Sequence, residues 1–173
     1  MSKAVMKPAA GEYAEYYDRY VSIVPEGDVV RTLVLQLEET LELLRSIPEE
    51  RAGYRYGPDK WSIRELVGHI VDTERIFAYR ALRISRGDET PLAGFEQVAY
   101  VPASGAEGRT LSSLAEELEH VRRGNILMFE SLPSEAWSRR GSASEAEVTV
   151  RALAWILAGH ERHHVNILRE RYL

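Results

Sequence analysis

The last stretch of the chain, Val150 to Tyr172, reads as one amphipathic helix whose apolar stripe is interrupted by histidines. At about 100° per residue, Leu153, Leu157, Ile167 and Leu168 mark one face. His160 and His164 fall near the middle of that face, one turn apart, where Leu or Ile would be ordinary. A buried imidazole without a partner is costly, and two at i, i+4 need a shared explanation. That spacing aims two ring nitrogens at one point, as a divalent metal requires. Such a helix needs partners to cover its stripe and a third ligand from one of them, because two imidazoles hold a metal poorly. His163 lies at the stripe's edge and Arg162 on the far side.

The rest of the chain supplies the partners. Tyr13, Tyr16, Tyr17, Tyr20, Val21 and Val24 have helical spacing, closed by Pro25 and Gly27; these tyrosines suit packing across the outside of a bundle. Asp28 is a cap for a helix with the stripe Val30, Leu33, Leu37, Leu41 and Leu44, ended by Pro48. Ser62 and Glu65 form a capping box opening a helix that stops before Gly87, with Leu66, Ile70, Thr73, Phe77 and Ile84 inward. His69 sits at the edge of that face, within reach of a neighbouring helix. Thr110 or Ser112 starts another helix, stopped at Pro133, with Leu114, Leu118, Val121, Met128 and Phe129 inward. Thr149 caps the last.

The expectation is an all-α four-helix bundle with helices near 28–46, 62–86, 111–131 and 149–171, preceded by a short N-terminal helix. A long link, residues 87–109, joins the second and third long helices and lets them run parallel. Residues 132–148 read as a polar connector anchored by Trp137, and no alternating strand pattern competes. The 173 residues are expected to form one domain, with 1–10 a loose tail.

Composition removes several classes of function. A net charge of −5 gives no general attraction to nucleic acid or an anionic membrane. The start lacks a signal-peptide run and no apolar stretch is long enough to span a bilayer, so the expected location is cytoplasmic. There is no cysteine, so disulfides, thiolate ligands and a cysteine nucleophile are excluded, and any thiol chemistry needs a thiol from outside.

His69 is the remaining histidine on an inward helical edge, so the expected ligand set is His69, His160 and His164. Three histidines leave a coordination position for water or substrate, the pattern of catalytic sites. His120, among Glu119, Arg122 and Arg123, reads as a satisfied core or surface residue, and both it and His163 are expected outside the ligand set. His160-Glu161-Arg162-His163-His164 formally matches the zincin H-E-x-x-H, which would make Glu161 a general base. Zincins set that helix among strands that are missing here, and a charged residue at the stripe's edge is the plainer reading of Glu161. Trp61, Trp137 and Trp155 read as packing residues, and Arg75, Arg80, Arg83 and Arg86 as a solvated helix face.

Lys60 to Val101 and Thr149 to Tyr172, with Glu15 to Asp28 beside them, resemble the DinB-like superfamily, the DinB/YfiT type of metal-dependent proteins. The family pattern of one His in the second helix and H-x-x-x-H in the fourth falls on His69, His160 and His164. The resemblance implies a four-helix bundle with a long link between helices two and three, often a homodimer, typically with bound nickel or zinc. Its related families include transferases that use low-molecular-weight thiols. One departure stands out: Val98 occupies a position where an acidic residue is common after the GF-D/E-Q segment. The expected function is a metal-dependent enzyme, a thiol-dependent S-transferase acting on a small electrophile. The alternative is a non-catalytic metal- or ligand-binding bundle acting in stress response. A third reading is a histidine cluster that binds no metal.

Overall fold

The computed structural model describes residues 4–173. A 3-10 turn leads into the short α1 (Asp18–Val21). The long helices are α2 (Val29–Ser46), α3 (Ile63–Ser85), α5 (Leu111–Glu130) and α6 (Val150–Ile167), with a short α4 (Gln97–Ala103) between α3 and α5. Each long helix starts where a side chain takes over an unpaired backbone N–H. Asp28 accepts from Val30, Thr110 from Ser113 and Thr149 from Ala152, and Ser62 with Glu65 completes a reciprocal capping box. Gly87, at φ +81°, ends α3 in the left-handed conformation that costs glycine nothing. Beyond Ile167 the last helix loosens into a π turn, Leu168–Tyr172, and Tyr172 returns its hydroxyl to the Trp61 carbonyl at 2.7 Å.

α2 packs on α5 and α6, and α3 packs on the same two. The consecutive helices α2 and α3 therefore sit on a diagonal. Side-chain pairings give the directions. Gln36 bonds the Ala158 carbonyl and Thr40 bonds Glu161, so α2 and α6 run parallel. Ser62 meets Glu107 and Glu74 meets Arg122, so α3 and α5 run parallel, the arrangement the long link allows. His69 meets His160 while Trp61 meets Tyr172, which sets α3 antiparallel to α6.

The link itself is more structured than its sequence implied. α4 and the turn Ala106–Gly108 fold back over α3 so tightly that a Cβ at Gly68 would stand 2.9 Å from the Ala106 Cβ. His69 is buried, at 2% exposure, rather than lying at an edge, with Trp61, His160 and His164 packed around its ring. Residues 132–148 also differ from a plain connector: they hold an antiparallel hairpin, β1 (Arg140–Ala143) and β2 (Ala146–Thr149). Its turn residues Ser144 and Glu145 have positive φ without the Asn or Gly that normally announces such a turn. Leu92 bonds Ser142 and Ser144 through the backbone, pinning the link to the hairpin.

Within the expected tail, Val5 is anchored to the bundle. Val5 is buried, its N–H donates to Asp28, and its carbonyl accepts from Val29 and from the Trp155 indole. The first three residues of the expected tail lie outside the described ones. Among the described residues no helix is long and apolar enough to cross a membrane.

Candidate metal centre

α3 and α6 cross where His69 faces His160 and His164. His160 Nε2 lies 3.0 Å from His69 Nε2 and 3.1 Å from His164 Nε2. A ring nitrogen carries either one proton or one lone pair, so it makes one good hydrogen bond. His160 Nε2 cannot satisfy both neighbours at once, whereas a cation placed among the three nitrogens would take a lone pair from each. These three residues, all buried, form a group that could hold a metal ion. Burial lowers all three pKa values: His69 falls to about 4, and His160 and His164 lie well below the ordinary 6.5. Neutral imidazole is the form that ligates. The donor set fits a divalent ion of borderline softness such as zinc or nickel.

The sequence-named histidines sort cleanly. His163, half-buried, packs edge-on against Tyr20 at 5.5 Å and stays out of the cluster. His120 is exposed and turns its Nδ1 to the Glu116 carbonyl of its own helix at 2.8 Å.

Glu161 is neither a base facing the histidines nor a residue at a solvated edge. It is 1% exposed, accepts from Thr40 at 2.8 Å, and sets its other oxygen 2.8 Å from Arg122, outside hydrogen-bonding angles. Arg122, fully buried, grips Glu74 with Nε and Nη2 at 2.8 Å each, and Asn125 joins them. Burial works against the Arg122 charge, and Glu161 and Glu74 more than reverse that, raising its pKa. The carboxylate of Glu161 is thus committed to the α2–α5 side of its helix.

Three residues near the histidines went unrecognised in the sequence. Trp61 is not a core tryptophan: its ring lies 4.8 Å from His69 and 6.3 Å from His164. Trp137, stacked on Phe129, and Trp155, fully buried, are the packing residues expected. Tyr20, 7% exposed, packs edge-on against His160 at 5.4 Å, and burial with neighbouring Tyr16 pushes its phenol up to about 12. It can come so close because α6 carries Gly159, where a Cβ would stand 2.1 Å from the Tyr20 carbonyl oxygen. The glycine ahead of the first histidine was the available signal, though only with the N-terminal segment placed against it. Thr73, 2% exposed, has a hydroxyl with no protein partner among the described residues.

His160 opens on a pocket of about 300 Å³ whose walls include Tyr16, Tyr17, Tyr20, Thr73, Phe95 and Val98. Phe95 forms part of this wall, and Tyr100 packs behind it at 5.4 Å. Val98, 69% exposed, puts an apolar side chain on this rim.

A four-helix bundle with three imidazoles converging at one helix crossing is the class of protein that fold and site define. Residues 32–168 match the model of the DinB superfamily, and the chain belongs to that family. It is similar in structure to YfiT from Bacillus subtilis, described as "a probable metal-dependent hydrolase with an unusual four-helix bundle topology". That likeness has a TM-score of 0.70 at 16% identity, over 95% of this chain and 90% of that one. A mycothiol-dependent maleylpyruvate isomerase is similar at a TM-score of 0.67 and 16% identity, over 79% of this chain and 58% of the isomerase. A DinB-like protein from Bacillus subtilis, YjoA, follows at 0.59 and 23%, over 82% and 86%. At these identities the likeness is one of fold. Comparison with curated proteins gave no significant match.

Proposed function

We propose that this protein is a metal-dependent enzyme that uses a low-molecular-weight thiol to act on a small electrophile, with a divalent ion, nickel or zinc, held by His69, His160 and His164. The observation that carries the reading is the convergence of three neutral Nε2 atoms at a site that opens, through His160, on a pocket. A divalent ion bound there would supply Lewis acidity, lowering the pKa of a thiol or water that shares its coordination shell.

The chain's own residues do the rest. Three imidazoles without a carboxylate leave the site's positive charge undiminished, which favours an anionic fourth ligand. Tyr20 and Trp61 hold the rings in place and exclude water from one side. The Thr73 hydroxyl, buried and without a protein partner, is placed to orient a polar substrate atom in the pocket. Without cysteine, the protein takes its sulfur nucleophile from a co-substrate. The descriptions of two structural neighbours as metal-dependent and mycothiol-dependent support this choice over a purely structural cluster.

Elemental analysis of protein purified without an affinity tag, followed by thiol addition to a model electrophile, tests the reading. Metal-loaded protein should accelerate the addition and His160→Ala should not. Equal rates across several thiols would leave the second reading, a non-catalytic metal- or ligand-binding bundle. A homodimer belongs to the same proposal through the family likeness, and a sedimentation mass of one chain at micromolar concentration would remove it.

A further inference from the structure

α3 carries one cation without an acidic partner among the described residues. Arg75 pairs with Glu117 at 2.6 Å and Arg83 pairs with Asp88. Arg80, between them, is 2% exposed and forms no ion pair among the described residues. Its Nη2 donates to the Ala93 carbonyl at 2.8 Å and to Ser144 Oγ at 2.9 Å. The guanidinium lies 5.1 Å from the Phe77 ring and 5.9 Å from the Phe95 ring. Burial disfavours its charge, and the group that offsets this is the Tyr17 phenol rather than a carboxylate. Arginine cannot shed its proton in a protein. A buried charge with neutral partners alone is expensive to keep, and the surroundings are built to receive the missing anion.

Arg80 lines a pocket of about 540 Å³ between α3 and the 90–95 link. The other walls hold Arg75 and Arg83, each already paired with a carboxylate, and a largely apolar surface of Ile76, Tyr79, Leu92, Phe95 and Tyr100. Phe95 also lines the pocket over His160, so one ring borders both spaces. Along α3, Thr73 faces the histidine pocket and Arg80 the second one, two turns further on, about 10 Å by helical rise.

We propose that this second pocket binds the carboxylate of an organic acid with an apolar body, with Arg80 as its anchoring cation. With both Nη2 protons committed, a carboxylate would accept a single charge-assisted hydrogen bond from the remaining guanidinium N–H groups and restore neutrality, and the aromatic and aliphatic walls take the hydrophobic part. In the proposed enzyme this gives the substrate its orientation: the acid end on Arg80, the reacting end past Phe95 toward His160. That placement rests on the metal-centre reading, whereas the carboxylate site itself does not.

The test therefore uses chelator-treated protein, so that no metal can capture the acid. Hydrocinnamate and its uncharged amide are titrated by calorimetry, with the Arg80 side-chain resonance followed by NMR. The acid should bind and shift that resonance, and the amide should bind on the order of tenfold or more weakly, the cost of losing one charge-assisted pair. Arg80→Met should lose the preference for acid over amide. Arg80→Lys, which keeps the charge and guards against a folding defect in the first variant, should retain part of it. Equal binding of acid and amide, no binding of either at millimolar concentration, or an unchanged preference in Arg80→Met would each overturn the carboxylate site. Loss of metal-dependent rate with the acid preference intact would instead count against the metal-centre reading alone.

Discussion

Two polar clusters lie inside this bundle, and neighbouring residues of α6 belong to different ones. Glu161 turns toward α2 and α5 and meets Arg122, Glu74, Thr40 and Asn125, with opposite charges in contact and nearly every donor matched. His160, one position earlier, turns toward α3 and meets two imidazoles, and His164 Nδ1 is buried with no partner among the described residues. The first cluster finds its counter-charge within the protein, with Glu161 Oε2 alone held by ion pairing to Arg122 and not by a hydrogen bond. The second is a set of acceptors aimed at a common point, which folding alone does not explain. A core satisfied in one place and unsatisfied a single residue away marks where structure has given way to function.

The largest effect should come from opening the first cluster. Arg122→Ala strands two buried carboxylates and should cost about 3–5 kcal/mol, read as a lower denaturant midpoint. His164→Leu in metal-free protein should stay within about 1 kcal/mol of the native chain, since an apolar side chain of similar size replaces an unsatisfied one. Similar losses in the two variants would erase the distinction drawn between the clusters.

Metal should act on one cluster alone. Zinc or nickel at a hundred times its dissociation constant should stabilise the protein by about 2.7 kcal/mol, with stoichiometric metal retained by His120→Ala and His163→Ala. The His164→Leu variant should show neither stabilisation nor bound metal. If His163→Ala loses the metal and His164→Leu keeps it, the site is built on a different face of α6.

The contrast between the clusters was only half legible in the sequence. Local rules carried the helices: Asp28, Ser62, Thr110 and Thr149 all cap as their spacing implies. The stripe placed His160 and His164 inside because the helical period counts apolar neighbours on the same helix. Glu161 and Arg80 were misplaced for the same reason: each charge looked like surface on its own helix, and what buries it comes from another. α4 and the hairpin were hidden too. The hairpin's turn uses Ser144 and Glu145, residues that do not advertise positive φ, and α4 carries Pro102 in a link that reads as irregular. Trp61 precedes its helix, so no periodicity applies to it, and only the crossing of α3 and α6 puts it beside His69.

Acid should separate the clusters further. Burial holds the folded pKa values of His69, His160 and His164 below the ordinary 6.5, with His69 at about 4. The neutral cluster therefore contributes its full stability above about 6.5. As pH falls toward 4 the unfolded chain takes up protons that the folded one refuses, and stability declines. Metal-free protein should thus melt at progressively lower temperature over that window, and His164→Leu should show a shallower fall. Identical slopes for the two proteins would mean that the imidazoles titrate freely in the folded state.

The smallest effect should be found at Trp61, and it reports on position rather than strength. Trp61 touches the histidine cluster, while Trp137 and Trp155 are packed against Phe129 and Val5. Replacing Trp61 with Phe keeps an aromatic face against His69 and should change stability by under about 1 kcal/mol. Nickel among the three imidazoles would quench the nearest indole most strongly, so native protein should lose fluorescence on titration with nickel. Trp61→Phe should bind the same amount of metal with little loss of its remaining emission. If the variant is quenched as much as the native chain, the metal sits nearer Trp137 or Trp155, and the histidines at the crossing of α3 and α6 are not its ligands.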